Sequence, residues 1–346
     1  MSRHASRKNV RLQDIADVLE LSASTVSRAL AGNRAINEDT RESVQKTALS
    51  LGYNAPMQGA RRRRVATRTV GVVMSVTEMH NRFMTLLLEH VHQALLESGY
   101  HVMLIIDSMT DASQLSTFRP LIDGYLDGMI IASVTLDSLV VRELQRLGVP
   151  LVLVVRSMDG AEVDTVEADN VRGGAEAARH LYELGHRRIA LVMGPANTST
   201  SRDRAKGALD FLRSMGLPPE ATPAMWNAYT SEAGYSGAVQ LLAQSDPVTA
   251  ILAGNDTIAL GVLYAARYAG IEVPGRLSVV GFDDIPIAGS PLVRLTTIQH
   301  PVQEIARTAA RRMVERIRNG ALTPPLRDVL PTQLVRRDTT GPPPPV

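Results

Sequence analysis

The chain contains no cysteine, which excludes disulfides and thiolate chemistry. Aromatic residues make up only 4% of it, so a binding site built on extensive ring stacking is not expected. No apolar run reaches the roughly 18 residues that a membrane-spanning helix needs, and the first residues lack the apolar core of a signal peptide. These absences predict a cytoplasmic protein.

Sequence motifs of common enzyme classes are also missing. We find no GxxxxGK[ST] phosphate loop, no GxSxG nucleophile turn and no HExxH metal pair. Asp283 and Asp284 could suggest acid–base chemistry, but neighbouring residues of a strand point to opposite faces of the sheet. The sequence therefore predicts a protein that is not an enzyme, with no catalytic residues, no metal site and no cofactor.

Charge is distributed unevenly along the chain, although its net value is only +2. Residues 1–68 contain 13 Lys/Arg and 6 Asp/Glu, a net charge of +7, and the remaining residues carry a net charge of −5. A basic head on an acidic body is typical of a protein whose head contacts phosphates.

Residues 12–53 have the pattern of a helix-turn-helix unit. Apolar residues recur at helical spacing in a first helix that begins near Leu12, and Glu20-Leu21 forms the turn. Ser22 is suited to cap a second helix that ends before Gly32, and Asn37 is suited to cap a third. Such a unit reads DNA by placing its second helix in the major groove.

The polar face of the second helix supplies the candidate DNA contacts. Hydroxyl groups suit phosphate contacts, and arginine is the commonest reader of guanine in the major groove. We assign Ser22, Thr25, Ser27, Asn37 and Thr40 to the DNA backbone and Ala23, Ser24 and Arg28 to the bases. The alternative is an ordinary three-helix bundle with a hydroxyl-rich face.

These motifs resemble the headpiece of the lactose-repressor/galactose-repressor family of bacterial transcription regulators. The resemblance rests on Asp14-Ile15-Ala16, Ser22, Thr25-Val26-Ser27-Arg28, Thr40-Arg41 and Leu51-Gly52-Tyr53, in this order and without gaps. It extends to about Arg337, where DNVRGGAEAARHLYELGHRRIALV and VVGFDDIP are the most specific matches in the second half.

Residues 54–68 form the hinge that joins the headpiece, residues 1–53, to the body. In the resembled family the hinge is a helix that enters the minor groove, with a leucine wedged between base pairs. Arg62 occupies the wedge position here, Pro56 lies one residue late, and Gly59 replaces a common alanine. Arginine favours narrow minor grooves, so we expect the DNA contacts to include Arg61, Arg62, Arg63 and Arg64. The alternative is a flexible basic tether that adds only nonspecific affinity.

The body, residues 69–338, alternates short apolar strands with amphipathic helices, which predicts parallel sheets wrapped by helices. The resemblance implies an all-α helix-turn-helix headpiece joined to a two-lobed α/β domain like the periplasmic binding proteins. Lobe 1 would comprise about 69–167 and 298–327, and lobe 2 about 168–297 and 328–338. The tail, residues 339–346, is rich in proline and is predicted to be disordered.

Ligands of open α/β sheets bind at the carboxyl ends of strands. Arg156 follows one predicted strand, and His300 lies near a predicted lobe crossing. The resemblance implies the other effector contacts: Asn81, Phe83, Arg202, Tyr229, Asn255 and Asp283. Arg202 matches the family's effector-contacting arginine and Asp283 the aspartate that accepts sugar hydroxyls, while Arg82 departs from the family's NPFF loop.

Several of these residues have a purely structural alternative. Arg202 could form a surface ion pair, and Tyr229 could be part of the core. Arg156 and His300 are equally compatible with an effector contact and with a structural role. Asp256 is predicted to be the N-cap of the following helix rather than a ligand contact.

Together these features predict a ligand-responsive repressor of a carbohydrate or sugar-acid operon. A homodimer would bind a near-palindromic operator in double-stranded DNA, because one headpiece reads only a half-site. Bidentate Asp and Arg groups suit a sugar, sugar acid or sugar phosphate as effector. Two other classes fit less well. A transport solute-binding protein needs a signal peptide, and an architectural DNA binder does not need a ligand-binding body.

Overall fold

A computed structural model of the chain describes residues 12–30, 36–51, 66–75, 81–107, 115–319 and 324–345. The chain divides into two compact units, Met1–Val65 and Ala66–Val346. The first unit holds the headpiece and the second holds the body.

The described part of the headpiece consists of three helices: α1 (Leu12–Val18), α2 (Ala23–Leu30) and α3 (Glu38–Ser50). Their apolar faces meet in a small core around Ile15, Val26 and Val44, all fully buried. Glu20, in the turn that follows the first helix, has a φ of 54°, a left-handed conformation in which glycine is the usual residue. The helix-turn-helix predicted from the sequence is thus present.

Both predicted N-caps of the headpiece form. The Ser22 hydroxyl accepts a hydrogen bond from the backbone N–H of Thr25 at 3.0 Å, and the Asn37 side chain accepts one from Thr40 at 2.8 Å. These caps satisfy amides that have no partner within their own helix.

The body contains two six-stranded sheets, each flanked by helices. The strands are β1 (Thr69–Ser75), β2 (His101–Asp107), β3 (Gly128–Ile131), β4 (Leu151–Val154), β5 (Asp164–Ala168), β6 (Ile189–Met193), β7 (Ala224–Trp226), β8 (Ala250–Ala253), β9 (Ser278–Asp283), β10 (Thr296–Gln299), β11 (Arg327–Leu330) and β12 (Gln333–Val335). In lobe 1 the strand order is β11-β5-β4-β3-β1-β2, and in lobe 2 it is β12-β10-β9-β8-β6-β7. Among the described residues, all the strand pairs are parallel except that of β10 with β12.

An α-helix joins most consecutive strands, because a parallel connection must cross back over the sheet. The exceptions include β4 and β5, which a loop joins, and β9 and β10, which a segment with a short 3-10 turn joins. The helices of the body are α4 (Arg82–Glu97), α5 (Leu115–Gly124), α6 (Leu139–Arg146), α7 (Asn170–Glu183), α8 (Ser199–Ser214), α9 (Ser231–Leu242), α10 (Asp256–Tyr268) and α11 (Val302–Asn319). Among the described residues, no helix is long and apolar enough to cross a membrane.

The chain crosses between the lobes at three places, after β5, after β10 and between β11 and β12. The second and third crossings lie a few residues later than the sequence predicted. Thr296–Gln299 pairs within lobe 2, and Arg327–Leu330 pairs within lobe 1 beside β5. Both strands are only four residues long and have weak apolar patterns, so the sheet that each joins is decided by pairing rather than by local sequence.

Close packing of α7 on α8 fixes the position of α8 in lobe 2. A Cβ atom on Gly174 would lie 2.0 Å from the carbonyl oxygen of Arg204, and one on Gly207 would lie 1.8 Å from that of Val171. Only glycine permits this approach, which sets the position of α8 and of the side chains that it carries.

The prediction of a disordered tail is wrong for the described part of it. Thr339 is buried, accepts a hydrogen bond from the backbone of Thr296 and donates one to the carbonyl of Val279. Thr340 bonds to the ring of His180 at 2.9 Å, and the carbonyl of Gly341 lies 2.9 Å from the ring nitrogen of His186. Composition suggested disorder, but these specific hydrogen bonds hold residues 339–341 against lobe 2.

Candidate functional site

Helix α2 presents the polar face expected of a DNA-reading helix. Val26 and Ala29 are buried in the headpiece core, whereas Ser24, Ser27 and Arg28 are exposed. The guanidinium of Arg28 donates from Nε to the carbonyl of Ser24 at 3.2 Å, so it lies along the exposed side of the helix. Ala23 and Thr25 are half-buried at the start of the same helix.

Hydroxyl groups cluster at the N-terminus of α2. The oxygen of Ser22 lies 2.8 Å from those of both Ser24 and Thr25. Asn37 is exposed, and Thr40 is half-buried, at the start of α3. Two helix N-termini with exposed hydroxyl or amide groups suit phosphate contacts. Arg61, Arg62, Arg63 and Arg64 lie outside the described residues, and their role stays a prediction.

A cleft between the lobes of the body brings together most of the predicted effector contacts. Of the described residues that line it, five come from lobe 1 and five from lobe 2. The lining residues are Asn81, Phe83, Met84, Val155, Arg156, Thr200, Arg204, Tyr229, Asn255 and Asp283.

Arg204 is the most highly connected residue of the lobe-2 wall. Its side chain is 3% exposed and donates to Asn170 at 2.9 Å, to the carbonyl of Gly254 at 2.6 Å and to Asp283 at 3.2 Å. Its guanidinium carbon also lies 3.6 Å from the ring centroid of Phe282. A buried cation needs such partners, and here they come from three separate parts of the chain.

Asp283 ends β9 in a strained conformation with φ 112°. Burial raises the pKa of this carboxyl to about 6, although the neighbouring Arg204 guanidinium lowers it. The next residue, Asp284, bonds instead to Arg337 at 2.7 Å. The two aspartates therefore serve different sites, as their adjacency predicted. Backbone conformations of this kind cluster at functional sites.

The expectation that Asp256 caps α10 is wrong. Asn255 is the N-cap, and its side chain accepts from the backbone of Ile258 at 2.9 Å. Asp256 is fully buried below it and accepts from Thr297 at 2.6 Å and from the backbone of Ile285 at 2.8 Å. Burial, followed by the charge of Asp283, raises the pKa of Asp256 well above its usual range. Asn255 therefore both caps a helix and faces the cleft.

Tyr229 forms a second polar cluster in the lobe-2 wall. Its hydroxyl lies 2.7 Å from that of Thr200 and 2.6 Å from that of Ser201, at the N-terminus of α8. The ring packs on Gly194, where a Cβ atom would lie 2.3 Å from ring carbons. The ring is thus fixed in place, and it lines the cleft rather than serving only as core.

The lobe-1 wall includes a helix cap, a buried aromatic ring and a buried arginine. Asn81 caps α4 by accepting from the backbone of Phe83 at 3.1 Å, and Phe83 is buried against the lobe-1 core. Arg156 is 7% exposed and its guanidinium carbon lies 5.4 Å from the centroid of the Tyr229 ring. Val155, beside it, has a left-handed φ of 69°. Arg156 thus extends from lobe 1 toward the lobe-2 wall.

Two predicted effector contacts do not line the cleft. Arg202 points to the loop after β4, where it donates two hydrogen bonds to Asp159 at 2.9 and 2.8 Å. His300 is buried behind the cleft, with its ring 4.6 Å from that of Phe83, and burial lowers its pKa well below the usual range. No hydrogen-bond partner of either ring nitrogen of His300 is found among the described residues.

Arg204 was missed, although the sequence contains a signal for it. Buried positions of α8 follow helical spacing through Thr200, Arg204 and Ala208. Arg202 falls between these positions and so faces away from the cleft. A helical projection of the segment would have identified the inward arginine.

Comparisons with known proteins agree with this architecture. Residues 11–55 match the model of bacterial regulatory proteins of the lacI family, and residues 178–340 match a periplasmic binding protein-like domain. The transcriptional repressor CytR of Escherichia coli is 32% identical over 299 residues, which cover 86% of this chain and 87% of CytR. The regulator CelR of Thermobifida fusca is 31% identical over 345 residues, covering 96% and 99% of the two chains.

A solved structure extends the likeness to three dimensions. A complex of the regulator CelR with cellobiose superposes with a TM-score of 0.74 at 28% identity, covering 96% of this chain and all of that one.

A DNA-reading headpiece followed by a two-lobed binding domain defines a DNA-binding transcription regulator rather than an enzyme. The chain belongs to the LacI family of bacterial regulators. The fold class, the family and the exclusion of enzymes that the sequence predicted are thereby confirmed.

Proposed function

We propose that the protein is a repressor that binds a near-palindromic operator as a homodimer. Its affinity for the operator falls or rises when a small polyhydroxylated effector enters the cleft. The observation that carries this proposal is the exposure of Arg28 on a capped, otherwise well-packed second helix. A packing role does not account for an exposed arginine flanked by hydroxyls, whereas base reading does. Repression would take place in the cytoplasm, at the operator of a carbohydrate or sugar-acid operon.

Dimer formation is supported by apolar surface on lobe 2. Tyr264 and Tyr268 on α10 are 63% and 78% exposed, and Tyr235 of α9 packs 5.6 Å from the Tyr264 ring. Trp226 on the edge strand β7 is also exposed. Exposed aromatic clusters of this kind are typical of protein interfaces.

The proposed effector is a sugar, a sugar acid or a sugar phosphate. Arg204 and Asp283 form a buried pair at the cleft surface, and Arg156 adds a second cation. Such groups suit hydroxyls and an acidic group on one small molecule. The solved structure of CelR is that of a complex with a sugar, cellobiose, which supports a sugar-like effector for this chain.

In vitro selection of random duplexes by the full chain tests DNA reading. The enriched sites should contain two related half-sites in inverted order. Arg28→Ala should weaken binding to the selected site by about 5- to 150-fold, corresponding to about 1–3 kcal/mol for a lost bidentate base contact. Binding to random DNA should hardly change. Equal losses on both duplexes would assign Arg28 to the DNA backbone and refute its role as a base reader.

A thermal-shift screen of sugars, sugar acids and sugar phosphates tests the effector. A ligand that binds only the folded state raises the melting temperature. The shift should disappear in Asp283→Asn and Arg204→Gln. A ligand that shifts these variants as much as the unchanged protein does not bind in the cleft.

A further inference from the structure

One short segment of lobe 2 makes polar contacts with lobe 1 away from the chain crossings. The carbonyl of Asn197 accepts from the backbone of Leu136 at 2.9 Å, and the hydroxyl of Ser199 accepts from the backbone of Ser157 at 2.9 Å. Arg202 adds its pair of hydrogen bonds to Asp159. The contacted lobe-1 loops follow β3 and β4, and the lobe-2 segment follows β6. The loops and the segment are therefore distant in sequence, and these noncovalent contacts join them.

The orientation of Arg202 is fixed on both sides. Its Nε donates to Asp203 on the same helix at 2.9 Å, which leaves Nη1 to face both carboxylate oxygens of Asp159. The Arg202 and Asp159 side chains are 38% and 65% exposed. Neither lines the cleft. The pair therefore joins the lobes without occupying the space that an effector would use.

We propose that Asp159 and Arg202 are positioning residues that form a latch between the lobes and set the fraction of molecules whose cleft is closed before any effector binds. The lobes separate only if this ion pair breaks, since its two halves belong to different lobes. The proposal rests on the proposed function, because the closed fraction matters to regulation only if the cleft takes an effector. Apparent effector affinity is then scaled by that fraction.

The absence of cysteine allows the distance between the lobes to be measured directly. Exposed positions are changed to cysteine in the full chain and labelled with donor and acceptor dyes: Arg142→Cys on α6 with Gln240→Cys on α9, and Arg142→Cys with Glu220→Cys. Energy transfer is recorded without effector or DNA. Arg202→Gln should lower the ratio of closed to open molecules by about two- to five-fold, the range expected for a partly exposed ion pair.

A double-variant comparison assigns the effect to the pair. Asp159→Asn should produce the same shift as Arg202→Gln, and should add nothing when Arg202 is already glutamine. Arg213→Gln is the matched control, because Arg213 lies on the same helix and pairs with Asp210 within lobe 2 at 3.0 Å. It should leave the distances unchanged.

Two results would overturn the latch. One is energy transfer in Arg202→Gln that matches the unchanged protein for both labelled pairs. The other is an equal shift in Arg213→Gln, which would reveal a general effect of charge on α8. Either result leaves the proposed function standing, since selection of DNA sites and the thermal-shift screen do not depend on this pair.

Discussion

The two walls of the cleft are built in different ways. On the lobe-2 wall, Arg204, Asp283 and Tyr229 are held by hydrogen bonds to residues far away in sequence. On the lobe-1 wall, Asn81 and Phe83 are held by a local helix cap and by packing on the lobe-1 core. The lobe-2 wall is thus a preorganised polar surface held by long-range hydrogen bonds, whereas Asn81 and Phe83 of the lobe-1 wall are held by contacts close by in sequence and by core packing.

This difference predicts how the two walls respond to substitution. Changes in the lobe-2 wall should cost both stability and binding, because they leave buried charges or donors without partners. A change at Asn81, the half-exposed helix cap of the lobe-1 wall, should cost less stability.

Arg204→Gln should have the largest effect. Its removal leaves Asp283 buried without its cation, and breaking a buried pair in this way costs about 3–5 kcal/mol. Urea unfolding of the full chain measures the loss. Arg202→Gln is the matched control two residues away, and it should cost less than about 1 kcal/mol because its ion pair is partly exposed. Similar losses for the two arginines would mean that the buried Arg204–Asp283 pair contributes no more to stability than the partly exposed Arg202–Asp159 pair.

Asp283 should give lobe 2 a distinctive pH dependence. Its pKa is raised from 3.8 to about 6 by burial, so between these values the folded protein keeps a proton that the unfolded chain has released. The free energy of unfolding therefore falls as pH rises from about 4 to 6, by up to about 3 kcal/mol from this group, and levels off above.

Comparison with Asp283→Asn measures this contribution together with its coupling to Asp256. Asp256 is present in both proteins, but the charge of Asp283 helps to raise its pKa, so the difference between the two urea-unfolding curves reports on Asp283 and on that coupling. That difference should decline over the same pH window. A difference that stays constant from pH 4 to 7 would mean that Asp283 is already ionised when folded.

The helical and strand periodicities predicted the fold class because they are local properties of the sequence. The buried strands β1, β6 and β8 are nearly continuous apolar runs, and both headpiece caps, Ser22 and Asn37, were identified from residue type and position. The edge strands β7 and β12 are only three residues long and partly exposed, so they carry no comparable signal.

The cleft was predicted less completely because its geometry depends on contacts between distant residues. Six of the eight predicted effector residues line it, but Arg202 was chosen where Arg204 faces inward. Likewise, nothing local to the proline-rich tail indicates that His180 and His186 hold it. Phase within a helix can be read from one sequence, whereas the partner of a buried polar group cannot.

Gly207→Ala tests whether the lobe-2 wall depends on the close approach of α7 and α8. The added methyl group would lie 1.8 Å from the carbonyl oxygen of Val171, so the helices must separate and shift Arg204. Overpacking of this kind typically costs about 1–3 kcal/mol. Gly124→Ala is the control, because Gly124 lies in helix α5 with open space around it. It should stabilise the protein by up to about 1 kcal/mol. A neutral Gly207→Ala would show that the helix pair is free to adjust.

The smallest effect is expected from Asn81→Ala in the lobe-1 wall. Asn81 and Asn255 have the same task, since each caps a helix that begins at the cleft. Loss of such a cap costs about 0.5–2 kcal/mol. Asn81 is half-exposed, so water can replace its bond and its loss should fall near the lower limit. Asn255 is 1% exposed, and Asn255→Ala leaves a buried amide without an acceptor, so its loss should fall near the upper limit. Urea unfolding of the two variants measures the difference directly. Equal losses would show that water reaches both caps to the same extent, and that the two walls differ only in their charged groups.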